Sequence, residues 1–159
     1  MEGHATRCSR CENREYIVVM NVFISYSHTD EHWADLLREQ LRHFGTEIMV
    51  WDPGSEIAPG ENWALKYGKA LEKADAVIVL LSPDSVKSDW VRHEIEYALS
   101  SPKFRDRLIP VMVKPTKEVP WFLRTLTFID ATKNKNDVAS RVAAALKKST
   151  PQRRSLVKK

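Results

Sequence analysis

The chain has 159 residues, 43% of them hydrophobic and 29% charged, enough for one domain with a substantial core and too few for two. Its longest uninterrupted apolar run, Ala76 to Leu81, is far short of a membrane span, and the first residues lack the apolar centre of a secretory signal, so a cytoplasmic protein is expected. The net charge of +4 does not point to nucleic acid: residues 147–159 hold six basic side chains and no acidic one, residues 1–19 hold three of each sign, and −2 is left on residues 20–146.

Residues 1–19 read as an N-terminal extension, 20–149 as the folded domain and 150–159 as a basic, disordered tail. Cys8 and Cys11 in the extension form a C-x-x-C near His4. That segment supplies at most three of the four ligands a closed zinc site needs, and no thioredoxin-like unit follows, so an unpaired pair of thiols is expected and no metal.

The β-branched and aromatic run from Tyr16 to Tyr26 predicts a first strand buried on both faces. Asp30 offers an N-cap, and Trp33, Leu37, Leu41 and Phe44 recur at helical spacing up to Gly45. Glu47 to Trp51 is a second strand, and the Pro- and Gly-rich stretch Asp52 to Gly60 is a loop. A helix follows with Ala64, Tyr67, Leu71 and Ala74 inward, then the strand Ala76 to Leu81, ended by Ser82-Pro83. The next helix, about Ser88 to Leu99, turns Val91, Ile95, Ala98 and Leu99 to the core. Leu108 to Val113 is a fourth strand, placed towards a sheet edge by Pro110. Thr125 to Ile129 is a short fifth, and Val138, Val142, Ala145 and Leu146 mark a last helix.

Alternating strands and helices predict a parallel sheet covered on both faces. Five strands of this kind suggest a flavodoxin-like three-layer α/β fold in the order 2-1-3-4-5, with a crevice at the carboxyl ends of strands one and three, where the order reverses. Three segments reach that crevice: Ser25-Tyr26-Ser27-His28, the loop from Asp52, and Ser82 with the helix beyond it. On that helix Trp90, Glu94 and Tyr97 share a stripe beside Val91 and Ile95. By pattern alone Glu94 is more often a solvated face residue, as Arg92 and Glu96 are as an i, i+4 pair. By the same measure Trp63 is more often packing, and His28 a polar loop residue.

The boxes Asn21-Val-Phe-Ile-Ser-Tyr-Ser-His-Thr-Asp30, Val50-Trp-Asp52 with Ile57-x-Pro59-Gly60-x-x-Trp63, Ala74-Asp-Ala-Val-Ile-Val-Leu-Leu-Ser-Pro83 and Ser88-Asp-Trp90-Val-Arg-His-Glu94 stand in order across about residues 20–146. Together they resemble the Toll/interleukin-1 receptor (TIR) domain, and in particular its enzymatic, NAD-cleaving class as found in stand-alone bacterial members. The resemblance implies a catalytic glutamate at Glu94, four residues after the tryptophan Trp90. Val91 departs from the cysteine many members carry there, which implies altered packing and retained activity. It also implies NAD glycohydrolase or ADP-ribosyl cyclase chemistry, with NAD as substrate and no separate cofactor, and a product of ADP-ribose or a cyclic isomer. Ser25, Tyr26, Ser27, His28 and Ser82 would line the nucleotide side and floor. Asp52, Ile57 and Gly60 would form a mobile lid, the BB loop, anchored by Trp63. The partners so implied are a second copy of the chain, met through Asp52 to Gly60, and an effector protein that receives the product in anti-phage defence. The family also contains non-enzymatic adaptors, which act by TIR–TIR association alone. A phosphoacceptor protein of the same topology is disfavoured because Ser82, and no aspartate, ends the third strand.

Overall fold

The computed structural model describes residues 19–149 other than Thr46. Cys8, Cys11, the start of the expected first strand and the basic tail lie outside the described residues. Five strands, β1 (Met20–Ser25), β2 (Ile48–Val50), β3 (Ala76–Leu81), β4 (Leu108–Met112) and β5 (Ile129–Asp130), form one parallel sheet in the order 2-1-3-4-5. The helices are α1 (Glu31–Arg42), α2 (Pro53–Glu56), α3 (Trp63–Lys73), α4 (Asp89–Ser100), α5 (Trp121–Arg124) and α6 (Val138–Ser149). None of them is long and apolar enough to cross a membrane.

The period-2 alternation of the strands sorts the core into two layers. Val22, Ile24, Ile78, Leu80, Val111 and Val113 pack against α1 and α6. Phe23, Val77, Val79 and Leu81 face α3, α4 and α5. Every side chain of β3 is at most 1% exposed, which is why its sequence is apolar without interruption. Pro110 sits one strand in from the edge. Val113 N–H donates to Leu81, while the carbonyl of Met112 accepts from Ala131, so strand alternation turns the proline nitrogen towards β5. The β5 ladder begins only at Val111, and no donor is missed there.

Several expected positions move. Phe44, Ala64 and Leu99 are exposed rather than inward: Phe44 falls in the turn beyond α1, and Ala64 and Leu99 lie on the rims of their helix stripes. Arg92 reaches back to Asp89 at 4.0 Å and not forward to Glu96. The run from Thr125 is not strand until Ile129, because Leu126 N–H bonds back to Leu123 and Thr125 Oγ1 to the carbonyl of Phe122, closing the turn after α5. The loop after β2 contains the short helix α2, with Asp52 as its N-cap accepting from Gly54 N–H at 3.1 Å and Pro53 at its first position. Gly60 then takes φ +88°, a left-handed turn suited to glycine, before Asn62 caps α3.

Candidate active site

Glu94 projects from the second turn of α4, whose start is fixed by Ser88 accepting from Val91 N–H. The helix lies on the sheet through Val91, Ile95 and Ala98, and this carries Glu94 under the carboxyl end of β1. There its carboxylate is only 4% exposed, and Oε2 accepts from Ser25 Oγ, the last residue of the strand. Oε1 is buried without a partner of good geometry. Burial pushes the Glu94 carboxyl up to about 7, and the hydrogen bond from Ser25 holds it back only in part. Among the described residues no cationic side chain pairs with it.

Aromatic rings enclose this carboxylate. Tyr67, on α3, meets Phe23 at 4.9 Å, Trp51 at 5.2 Å, Trp90 at 5.4 Å and Trp63 at 6.2 Å between ring centroids. Trp63, the first residue of α3, and Trp90, in the first turn of α4, close the cluster outward with centroids 5.1 Å apart. Both indoles remain about half exposed, at 55% and 43%. A wide cleft of about 690 Å3 lies on the far side of Trp51, between β2 and α3, and is lined by Met49, Leu65, Lys66 and Lys69. Glu94 does not line it.

A second polar centre forms on the other face of the sheet. Asp30 occupies the expected N-cap position of α1 but makes no capping bond. Its fully buried carboxylate accepts instead from Ser82 Oγ, at the end of β3, and pairs with Lys114 Nζ at 2.8 Å, just beyond β4. Thr29 Oγ1 donates to Asp84 at 2.9 Å alongside.

Of the residues singled out from the sequence, the fold brings together Ser25, Trp63, Trp90 and Glu94. Tyr26 turns to the opposite core, where it meets Arg38. Ser27 pairs with Thr29 at 3.1 Å, and the His28 ring is 93% exposed near Glu31. Ser82 serves Asp30 and not Glu94. Asp52 is held at the base of its loop by Arg38 and Arg42, each at 3.7 Å, with Ile57 half-buried and Gly60 exposed beyond it. Sequence reasoning took Tyr67 as packing and did not single out Lys114. The i, i+4 spacing of Trp63 and Tyr67 was the available signal for the first; the second has none in the local sequence.

The family model of the TIR domain matches residues 22–147. Toll-like receptor 2 of the dog, Canis lupus familiaris, is 30% identical over 83 residues, which is 51% of this chain and 10% of the receptor. The same receptor of the water buffalo, Bubalus bubalis, is 28% identical over 83 residues with the same coverage. The chain therefore spans about a tenth of the length of these receptors. Among solved structures, the TIR domain of the Toll-related receptor TRR-2 from Hydra magnipapillata superposes with a TM-score of 0.62 at 26% identity, covering 77% of this chain and 94% of that one. The matched span takes in β1 from Val22, all of β2 to β5 and both polar centres, and the chain belongs to the TIR domain family.

Proposed function

We propose that this chain cleaves the bond between nicotinamide and ribose in NAD, with Glu94 as the catalytic carboxylate. One observation carries the reading: a buried carboxylate with one oxygen held by Ser25, the other without a partner and, among the described residues, no paired cation, set among electron-rich rings. Such a site lacks only a positive charge. The pyridinium ring of NAD supplies one, attracted by the carboxylate and by the faces of Trp63 and Trp90. A cation beside Glu94 also favours its ionised form, against the burial that otherwise raises it.

Breaking the bond moves positive charge from the ring to the ribose, in an oxocarbenium-like state. A fixed carboxylate stabilises that charge, and its free Oε1 is placed to accept from a ribose hydroxyl. Nicotinamide leaves as a neutral molecule, so no acid partner is needed and one carboxylate suffices. Water as acceptor gives ADP-ribose; an adenine nitrogen of the same molecule gives a cyclic isomer.

Glu94 at 4% exposure touches no substrate until Trp63 parts from Trp90. Trp63 follows directly on the loop from Asp52 to Gly60, so that loop acts as the lid, and self-association through it would set its position. A cytoplasmic setting, a downstream effector and a part in anti-phage defence extend the reading on family resemblance alone. The similarity to receptor TIR domains favours a second reading, in which the chain is an adaptor that signals by association without chemistry.

Incubation of the concentrated protein with NAD, followed by chromatography for nicotinamide, separates the two. The enzyme reading expects release that disappears in Glu94→Ala. Assembled wild-type protein that releases none leaves the adaptor.

A further inference from the structure

We propose that the cleft between β2 and α3 docks an extended acidic segment of a partner protein, which joins the sheet beside β2.

The main chain supplies the first half of the site. β2 is an edge of the sheet, paired on one side only, with β1. The Glu47 carbonyl accepts from Met20 N–H, and Trp51 N–H donates to the Val22 carbonyl. Alternation then turns Met49 towards β1 as well, and turns the N–H and carbonyl of Ile48 and Val50 outward. The side chains alternate too: Ile48 is buried in the layer of α1 and α6, and Met49, on the α3 face, is 58% exposed. Leu65 lines the same cleft from α3 and is 56% exposed. Outward main-chain donors and acceptors beside an apolar floor are what strand addition uses.

The second half is charge. α3 returns from the carboxyl end of the sheet, where Trp63 meets Trp90, to its amino end, where Asp75 N–H donates to the Asn21 carbonyl. Lys66, Lys69 and Lys73 line the cleft along that course, at i, i+3 and i+7. Their steps of about 4.5 and 6 Å along the helix are close to the spacing of alternate strand residues, about 7 Å. Lys66 pairs with Glu61 at 3.1 Å, whereas Lys69 and Lys73 have no ion pair among the described residues. The acids of the lining, Glu56 and Glu61, belong to the carboxyl end. Of the acids near the other end, Asp75 accepts from Asn21 N–H and Glu47 does not line the cleft. Acidic side chains at alternate positions of an added strand therefore meet Lys69 and Lys73.

A lysine within an edge strand keeps other strands away. Here the strand carries Met49, and the lysines stand on the helix across the cleft. A second copy paired through the same edge about a two-fold axis sets one lysine stripe against the other, so the groove suits a different chain.

The test titrates the nitrogen-15-labelled full chain with the peptide acetyl-Glu-Val-Glu-Val-Glu-Val-Glu-amide and follows backbone amides by NMR. Saturable shifts on Ile48, Met49, Val50 and α3 are expected, with Kd about 100 µM. Lys69→Glu combined with Lys73→Glu, both on the surface, should weaken binding by at least about tenfold. Val50→Pro removes one outward donor, leaves the β1 ladder intact and should weaken it by about fivefold. Should Val50→Pro fail to fold, the same peptide methylated at every amide nitrogen must bind wild-type protein at least about fivefold more weakly. No shift at millimolar peptide, or equal binding of the counterpart with lysine in place of glutamate, overturns the proposal. Shifts on α3 that spare Ile48 and Val50 overturn it too, since they show attraction of charge without strand addition. Dilution-dependent shifts on β2 in the free protein put a second copy in the groove and have the same consequence. None of these readouts involves NAD, so they stand whether or not the chain cleaves it.

Discussion

Glu94 and Asp30 form a natural pair for comparison. Each is a buried carboxylate, and each accepts a hydrogen bond from a serine at the end of a strand, Ser25 of β1 in one case and Ser82 of β3 in the other. They differ in what balances the charge. Asp30 has Lys114 at 2.8 Å, and the pair joins α1 to the end of β4 across β3. Among the described residues Glu94 has only neutral neighbours, Ser25 and the aromatic rings around it. A compensated buried carboxylate is a structural tie with no electrostatic work left to do. An uncompensated one keeps its field for a ligand, and the fold gives up stability to keep it there.

The largest test of this contrast is at Glu94 itself. Its carboxyl is raised from an ordinary 4.5 to about 7. A raised native value means that the folded state holds the proton more tightly. The associated stability is therefore full below about pH 4.5 and is lost as pH rises through about 7. The shift corresponds to about 3 kcal/mol. Glu94→Gln, a permanent mimic of the neutral acid, is expected to match the wild type near pH 4.5. By pH 9 it should exceed it by that amount, a rise in melting temperature of roughly 10 °C. The same variant should lose NAD cleavage by about a hundredfold or more. For the wild type, kcat/KM should fall about tenfold per pH unit below about 7, as the carboxylate is titrated away. Equal melting temperatures for variant and wild type at both ends of the range would mean that Glu94 is not strained.

Lys114→Met tests the other carboxylate and should have the opposite character. It leaves Asp30 buried with Ser82 alone, at a cost of about 2 kcal/mol, less than for a fully buried pair because the lysine side chain is itself partly exposed. Adding Asp30→Asn to it should restore most of the loss, as seen by denaturant titration. NAD cleavage per folded molecule should stay within about twofold of wild type. If cleavage vanishes while stability holds, Asp30 and Lys114 belong to the active site and the contrast is broken.

How far these two centres could be seen in the sequence follows from their geometry. Sheet order was legible because apolar runs alternating with amphipathic helices permit few topologies, and that order alone brings Ser25 to the helix carrying Glu94. Trp90 was legible as a residue of that crevice, whereas Trp63 was read from pattern as packing and only through the resemblance as the anchor of the loop. The tie between Asp30 and Lys114 was not, because it needs the ends of α1 and β4 to meet across β3, and nothing local to Lys114 says so. Asp30 misled in a specific way: the N-cap rule is local, and a tertiary partner overrode it. Tyr67 was assigned to the correct face of α3, but periodicity tells where a ring packs and not where its hydroxyl goes. The Asp52-Pro53 start of α2 carried both N-terminal helix signals and was concealed by the glycines and prolines around it.

The finest distinction between the centres lies in their serines. Ser82→Ala removes one donor from Asp30, which keeps Lys114, and also an acceptor for Ser85 N–H at 3.0 Å. A loss of about 1 kcal/mol is expected, with activity of the folded protein unchanged. Ser25→Ala removes the hydrogen bond to Glu94 Oε2, and that bond favours the ionised form. Its absence should raise the Glu94 carboxyl further above about 7, so that fewer molecules carry the carboxylate at neutral pH. Cleavage at pH 7 should fall by about threefold to tenfold and recover at about pH 8.5, where the population is restored. Recovery with pH is the telling feature, because a variant that had merely lost packing would be equally slow at both values. A deficit in Ser25→Ala that persists at the higher pH would show that Ser25 holds the geometry of Glu94 and not its charge.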